Sequence, residues 1–305
     1  MIVTLTGPNS FGLQTRLHQL TDDFIYQYGE LGVERIDGQE AELARMTESL
    51  YSLPFLSARK LIILRAASSN KQFSEQAPEI LKSLPETNQV IIIESKLDKR
   101  LGYYKYLKQA TSFEEFPELD QNGLTRWLTD TAKAQKGSIS QSDAYYLVQR
   151  IGPDQQMLSS ELDKLMLYKP EVSRETINLL TDATPQSTIF ELLESAFAGN
   201  IKKCLQLYEE QRALKVEPQQ IIAMLAWQLH ILAVIKTAGE RSDEVIAKEA
   251  KISPFVVRKS QSIANKITLS RLKQLVADLL RLDQHIKSIS IDADEALQHY
   301  LLKLA

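Results

Sequence analysis

Apolar residues recur as short runs in the first third of the chain, at 2–5, 33–36, 60–64, 90–93 and 113–116. Several of these runs are continuous rather than alternating, the pattern of strands covered on both faces. The segments between them, 13–28, 39–50, 74–84 and 103–109, carry helical period. Strand–helix–strand alternation at this spacing predicts a mostly parallel, doubly wound sheet. After Phe116 the pattern changes. Pro117 closes the last strand, and everything beyond it has the period of helices. Segments 119–135, 140–151 and 155–168 predict a small three-helix unit punctuated by Gly137 and the Gly152-Pro153 pair. Pro170 and the stretch 182–185 mark a boundary. Thr188, with Glu191 three residues on, predicts the capped start of a new helix. Apolar stripes then continue to the end of the chain, with Leu272, Leu275, Val276, Leu279, Leu280 and Leu282 forming one broad face. The expected fold class is α/β followed by all-α, in three domains: 1–118, 119–184 and 185–305.

The first predicted strand runs directly into Gly7-Pro8-Asn9-Ser10-Phe11-Gly12-Leu13-Gln14. The G-x-x-x-x-G frame is that of a phosphate-binding loop. A working loop follows it with Lys and Ser or Thr, which reach the β/γ-phosphates and hold Mg²⁺. Leu13 and Gln14 stand there instead, and neither supplies that chemistry. Two glycines at this spacing also fit an ordinary strand–turn–helix.

Composition narrows the classes. A length of 305 residues favours two or three domains, and 44% apolar with 25% charged residues is an ordinary globular balance. A net charge of −3 argues against a free-standing DNA binder held by a basic face. The single cysteine, Cys204, permits no disulfide within the chain and is expected as a half-buried helix residue in a reducing cytoplasm. The strongly apolar runs noted above have strand length, short of the ~20 residues of a membrane span. The N-terminus lacks the basic start and apolar stretch of a signal peptide. His18, His230, His285 and His299 lack ligand spacing, so no metal is expected, and no catalytic constellation is visible.

Leu53-Pro54-Phe55-Leu56-Ser57-Ala58-Arg59-Lys60-Leu61-Ile62-Ile63-Leu64-Arg65 resembles the signature stretch of the bacterial DNA polymerase III delta subunits, a clamp-loader family of AAA+-like architecture. The run from Val90 through Glu94 to Lys96-Leu97-Asp98-Lys99-Arg100 resembles the next strand and basic segment of that family. Ser160-Glu161-Leu162-Asp163-Lys164-Leu165, Ile189-Phe190-Glu191-Leu192 and Leu282-Asp283-Gln284-His285-Ile286-Lys287-Ser288 resemble its later motifs, in the same order. The resemblance implies a clamp-binding α/β domain, a helical lid and a helical collar. It implies a subunit of the DNA-directed DNA polymerase III holoenzyme that binds and opens the sliding clamp (beta) for loading onto primed DNA. ATP hydrolysis would belong to neighbouring subunits, of the tau/gamma type, joined with delta-prime through the collar. It implies no cofactor, no catalytic site of its own, no membrane partner and a cytoplasmic location.

Leu53, Phe55 and Leu56 fall between a predicted helix and a buried strand, with Pro54 fixing the turn. From the residues alone, they either fold back as local core or form an exposed apolar wedge for a partner. The resemblance assigns the clamp contact to Phe55 and Leu56, with Leu53 as core or contact. Lys96, Lys99, Arg100, Lys105 and Lys108 form a basic patch, either a solvated face or a contact with DNA or a neighbouring subunit. Residues 244–263 resemble a helix-turn-helix that would offer Arg258, Lys259 and Gln261 to a groove. A DNA-binding regulator and an unusual P-loop NTPase are therefore the alternative functions. Glu94 sits where a Walker-type acid would, and an ordinary strand end is the expectation. Trp127 and Trp227 are expected in the core.

Overall fold

The computed structural model describes residues 1–288 and 291–304; the expected end of the third domain, Ala305, lies outside them. Two compact units divide the chain, Met1–Leu119 and Asp120–Ala305.

The first unit contains β1 (Ile2–Thr6), α1 (Ser10–Tyr28), β2 (Val33–Asp37), α2 (Leu43–Tyr51), β3 (Lys60–Arg65), α3 (Lys71–Lys82), β4 (Asn88–Glu94), α4 (Gly102–Ala110) and β5 (Ser112–Glu115). All five strands are parallel, in the order β2-β3-β4-β1-β5. Successive strand residues point to opposite faces, and the core obeys that alternation. Val3, Leu5, Leu61, Ile63, Ile91 and Ile93 pack against Leu13, Leu17 and Phe24 of α1. Ile62, Leu64, Val90 and Ile92 pack on the other face against α2, α3 and α4, through Met46, Leu50, Phe73, Ile80 and Leu107. The doubly covered parallel sheet expected from the apolar runs is present.

The second unit is helical, with α5 (Gln121–Ala134), α6 (Gln141–Ile151), α7 (Gln155–Tyr168) and α8 (Arg174–Leu180), then α9 (Pro185–Phe197), α10 (Ile201–Ala213), α11 (Pro218–Thr237), α12 (Asp243–Ala250), α13 (Pro254–Lys266), α14 (Leu269–Ser288) and α15 (Ala293–Leu304). The short strands β6 (Ser138–Ile139) and β7 (Glu171–Val172) pair in parallel, and they and α8 add to the three helices read from the sequence. Helix α9 starts a turn before the expected cap. Thr184 accepts the Ser187 amide and Pro185 occupies the first turn, while Thr188 is buried within the helix. Helix α11 corrects the reading of apolar runs: it is long and apolar enough to cross a membrane. Here Ile221, Leu225, Leu229 and Leu232 are buried in the core formed by α9–α15. Cys204 is fully buried, which pushes its thiol up to about 11. Trp227 is partly exposed, at 39%, rather than buried as core.

The end of α2 sets the path of the connection to β3. Helix termini leave backbone carbonyls without intrahelical partners, and no glycine caps this one. Two side chains from the sheet serve them instead. Asn88, buried at the start of β4, donates to Leu50 O (2.9 Å) and Ser52 O (3.0 Å). Lys60, at the start of β3, donates to Ser49 O (3.0 Å) and Ser52 Oγ (2.6 Å), and pairs with Glu34 at 2.7 Å. The lysine's three N–H donors thus have three acceptors. Removing the Asn88 amide strands two carbonyls, so Asn88→Ala is expected to destabilise the chain by about 2–3 kcal/mol in urea unfolding. An unchanged midpoint would mean that the carbonyls are served otherwise.

Candidate functional site

Residues 52–59 connect α2 to β3 and lie at the amino-terminal edge of the sheet. The connection is apolar at its tip and polar at its base. Phe55 is 94% exposed, Leu53 70% and Leu56 66%. All three are exposed, so they do not fold back as local core. The base is held on three sides. Asn88 and Lys60 hold the α2 end. Ser57 Oγ donates to Tyr28 O (2.8 Å), and the Arg59 guanidinium stands 5.7 Å from the Tyr28 ring centre. Close beneath runs the 3-10 turn Glu30–Gly32, where a Cβ on Gly32 would come within 2.7 Å of Arg59 O and 3.0 Å of Ser57 Oγ. Glycine is what permits this approach. A groove of about 220 Å³ opens between the turn and the loop, lined by Leu31, Leu53, Phe55 and Leu56 together with Glu34 and Lys60.

Electrostatics keep the polar lining ionised and quiet. Burial alone would raise the Glu34 carboxyl. Hydrogen bonds from Lys60 and Ser49, with the charges of Lys60 and Arg45, hold it below its ordinary value. Ser49 Oγ donates to one carboxylate oxygen at 2.6 Å and Arg45 to the other at 2.8 Å.

The glycine frame lies at the opposite, carboxyl-terminal edge. Gly7 has φ +130°, and a Cβ there would meet Phe116 O at 2.2 Å. Helix α1 begins only three residues after β1, capped by Asn9, whose Oδ1 accepts the Gly12 amide at 2.9 Å. The Phe116 ring packs over Gly12, with a carbon 3.1 Å from the Cβ position. Leu13, in the place of the phosphate-binding lysine, is buried among Val3, Leu5 and Ile91. Gln14 accepts a long 3.5 Å hydrogen bond from Arg65. Glu94 is buried with both carboxylate oxygens engaged, by Ser68 N and Ser68 Oγ at 2.7 Å each. Desolvation raises its pKa, partly offset by these bonds and by Tyr103. It ties two connections together as a strand-end residue.

In the basic patch, Lys99 pairs with Glu115 (2.7 Å), and Arg100 makes a forked pair with Asp98 that holds that carboxyl down to about 2. Lys96 is exposed in the same loop after β4. Exposed pairs of this kind are weak, so the charges stay accessible. The helix-turn-helix side chains are not. Arg258 pairs with Asp120 (2.9 Å) and Glu244 (2.6 Å). Lys259 donates to Gln149 O, with its ammonium 4.6 Å from the Phe190 ring centre. Gln261 has a buried, unpartnered carbonyl oxygen. None of the three is presented as a base reader. Among the described residues no cluster of three metal-ligating side chains occurs.

Comparison with known proteins agrees with this architecture. The family model for the DNA polymerase III delta subunit matches residues 4–116, and that for the C-terminal domain of the same subunit matches 186–304. The chain belongs to the DNA polymerase III delta subunit family. It is 24% identical to the DNA polymerase III subunit delta of Bacillus subtilis, over 99% of this chain and 92% of the relative. It is 21% identical to a probable DNA polymerase III subunit delta of Aquifex aeolicus, over 98% and 90%. The solved structure of the Bacillus subtilis DNA clamp loader delta protein superimposes with a TM-score of 0.85 at 20% identity, covering 99% of this chain and 94% of that one. That likeness is one of fold.

Sequence reasoning for this delta-family chain singled out Leu53, Phe55 and Leu56, which are exposed, and missed what holds the base of their loop. Lys60 heads one apolar run and Asn88 stands two residues before another, and a polar residue there was the available signal. At the other edge, Leu13→Lys with Gln14→Ser should not create nucleotide binding, because position 13 faces the core. The double variant is expected to lose at least about 2 kcal/mol of stability and to show no saturable Mg-ATP binding in calorimetric titration. Saturable binding would contradict the geometry.

Proposed function

We propose that this chain is the clamp-loader subunit that binds the sliding clamp through Leu53, Phe55 and Leu56 and holds one clamp interface open. The observation that carries the reading is Phe55, 94% exposed at the tip of a loop whose base is anchored by hydrogen bonds from Asn88, Lys60 and Ser57. An unpartnered aromatic on a rigid mount is preorganised to fill a pocket, and little ordering entropy remains to be lost on binding. Burying Phe55 and Leu56 contributes about 1.5–3 kcal/mol each. Opening needs no covalent chemistry. A surface that fits the open clamp interface better than the closed one shifts the clamp toward opening by its differential affinity.

On this reading the chain acts as three domains, 1–118 for the clamp, 119–184 as lid and 185–305 as collar. The collar assembles with delta-prime and with tau/gamma-type ATPases, which hydrolyse the ATP, and the assembly works on primed DNA in the cytoplasm. The buried Leu13 and the Asn9-capped turn support a subunit without nucleotide chemistry. Lys96, Lys99 and Arg100 are the proposed contact with DNA or a neighbouring subunit. Phe55→Ala combined with Leu56→Ala is expected to weaken clamp binding at least about 100-fold in surface plasmon resonance. The far-ultraviolet spectrum and melting temperature should stay those of the parent. Parent-like clamp affinity would refute the reading.

A further inference from the structure

We infer that the groove beside the wedge is a second clamp contact, in which Leu31 and the loop receive an apolar side chain from the clamp surface bordering the pocket that Phe55 enters. This rests on the clamp-binding reading above and adds to it a residue and a direction of insertion. The sheet register creates the juxtaposition. Val33 pairs with Leu61 in parallel, so the turn Glu30–Gly32 and the loop base at Arg59 and Lys60 arrive side by side at one edge. Gly32 lets them touch, and Ser57 and Arg59 fasten the loop to Tyr28 at the end of α1.

Leu31 is 77% exposed and lines the groove together with Leu53, Phe55 and Leu56. The four line one groove, so a partner seated on Phe55 and Leu56 is brought up to Leu31. Apolar side chains lining a groove gain most when something apolar enters between them. The polar lining selects the occupant's chemistry. Glu34 and Lys60 neutralise one another at 2.7 Å, and their remaining hydrogen-bonding capacity goes to Ser49, Ser52 and Arg45. The groove offers no free charge, and a charged occupant would enter without a partner. An aliphatic side chain fits the approximately 220 Å³ available.

Clamp affinity measured by surface plasmon resonance on the full chain tests this, comparing Leu31→Asp, Leu31→Ala, Tyr26→Asp and the Phe55→Ala/Leu56→Ala double variant. Leu31 is exposed, so its substitution leaves folding intact, checked by melting temperature. Tyr26 is 92% exposed but does not border the groove, and so controls for an added charge near this edge. Leu31→Ala should weaken binding about fivefold and Leu31→Asp about tenfold or more, with Tyr26→Asp unchanged. The Leu31→Ala loss should be the same at low and high salt, as befits an apolar contact. If both Leu31 variants bind as the parent does while the double variant loses binding, the groove inference fails and the wedge stands. If the double variant also binds as the parent does, the clamp-binding reading itself fails. Equal losses for Tyr26→Asp and Leu31→Asp would overturn the groove contact as well.

Discussion

The arrangement depends on how one helix end is satisfied. Helix α2 finishes without a glycine cap, and its free carbonyls at Ser49 and Leu50, with that of Ser52, are taken by Lys60 and Asn88 from the heads of two neighbouring strands. Those bonds dock the helix end onto the sheet edge, and Pro54 then directs the chain away from it. The apolar tip beyond this anchored base stands exposed to solvent. The same lysine neutralises Glu34, and both line the neighbouring groove.

The sheet therefore has two edges with opposite characters. At the carboxyl-terminal edge, where open α/β sheets place ligands, the glycine turn is closed by Asn9 and Phe116, and the would-be phosphate lysine is a core leucine. At the amino-terminal edge, the loop and the turn before β2 display Leu31, Leu53, Phe55 and Leu56. The strand–turn–helix frame is packed as part of the core. The exposed apolar residues of this unit's α2–β3 connection lie at the other edge of the sheet.

The continuous apolar runs made the parallel sheet legible, because strands buried on both faces need no alternation. Leu13 and Gln14, standing where Lys and Ser or Thr would be, were legible as a departure from the phosphate-binding pattern. Other features depend on tertiary contacts that no local pattern encodes. The start of α9 shifted by a turn because Thr184 and Pro185 make a better first turn than Thr188, which is buried. Arg258 and Lys259 looked like base readers until Asp120, Glu244 and Gln149 O proved to be their partners, two of them far away in sequence. Leu31 was silent because a single apolar residue in a turn is unremarkable. Only the register of β2 against β3 gives it neighbours.

On the proposed function, the amino-terminal edge of the sheet, rather than the glycine-turn edge, meets the clamp. Hydrogen–deuterium exchange of the full chain with and without saturating sliding clamp tests this most directly. The account predicts slowed exchange in residues 30–32 and 53–59, with residues 7–13 unchanged. Protection confined to residues 7–13, or none at 53–59 in a chain that demonstrably binds the clamp, would contradict it.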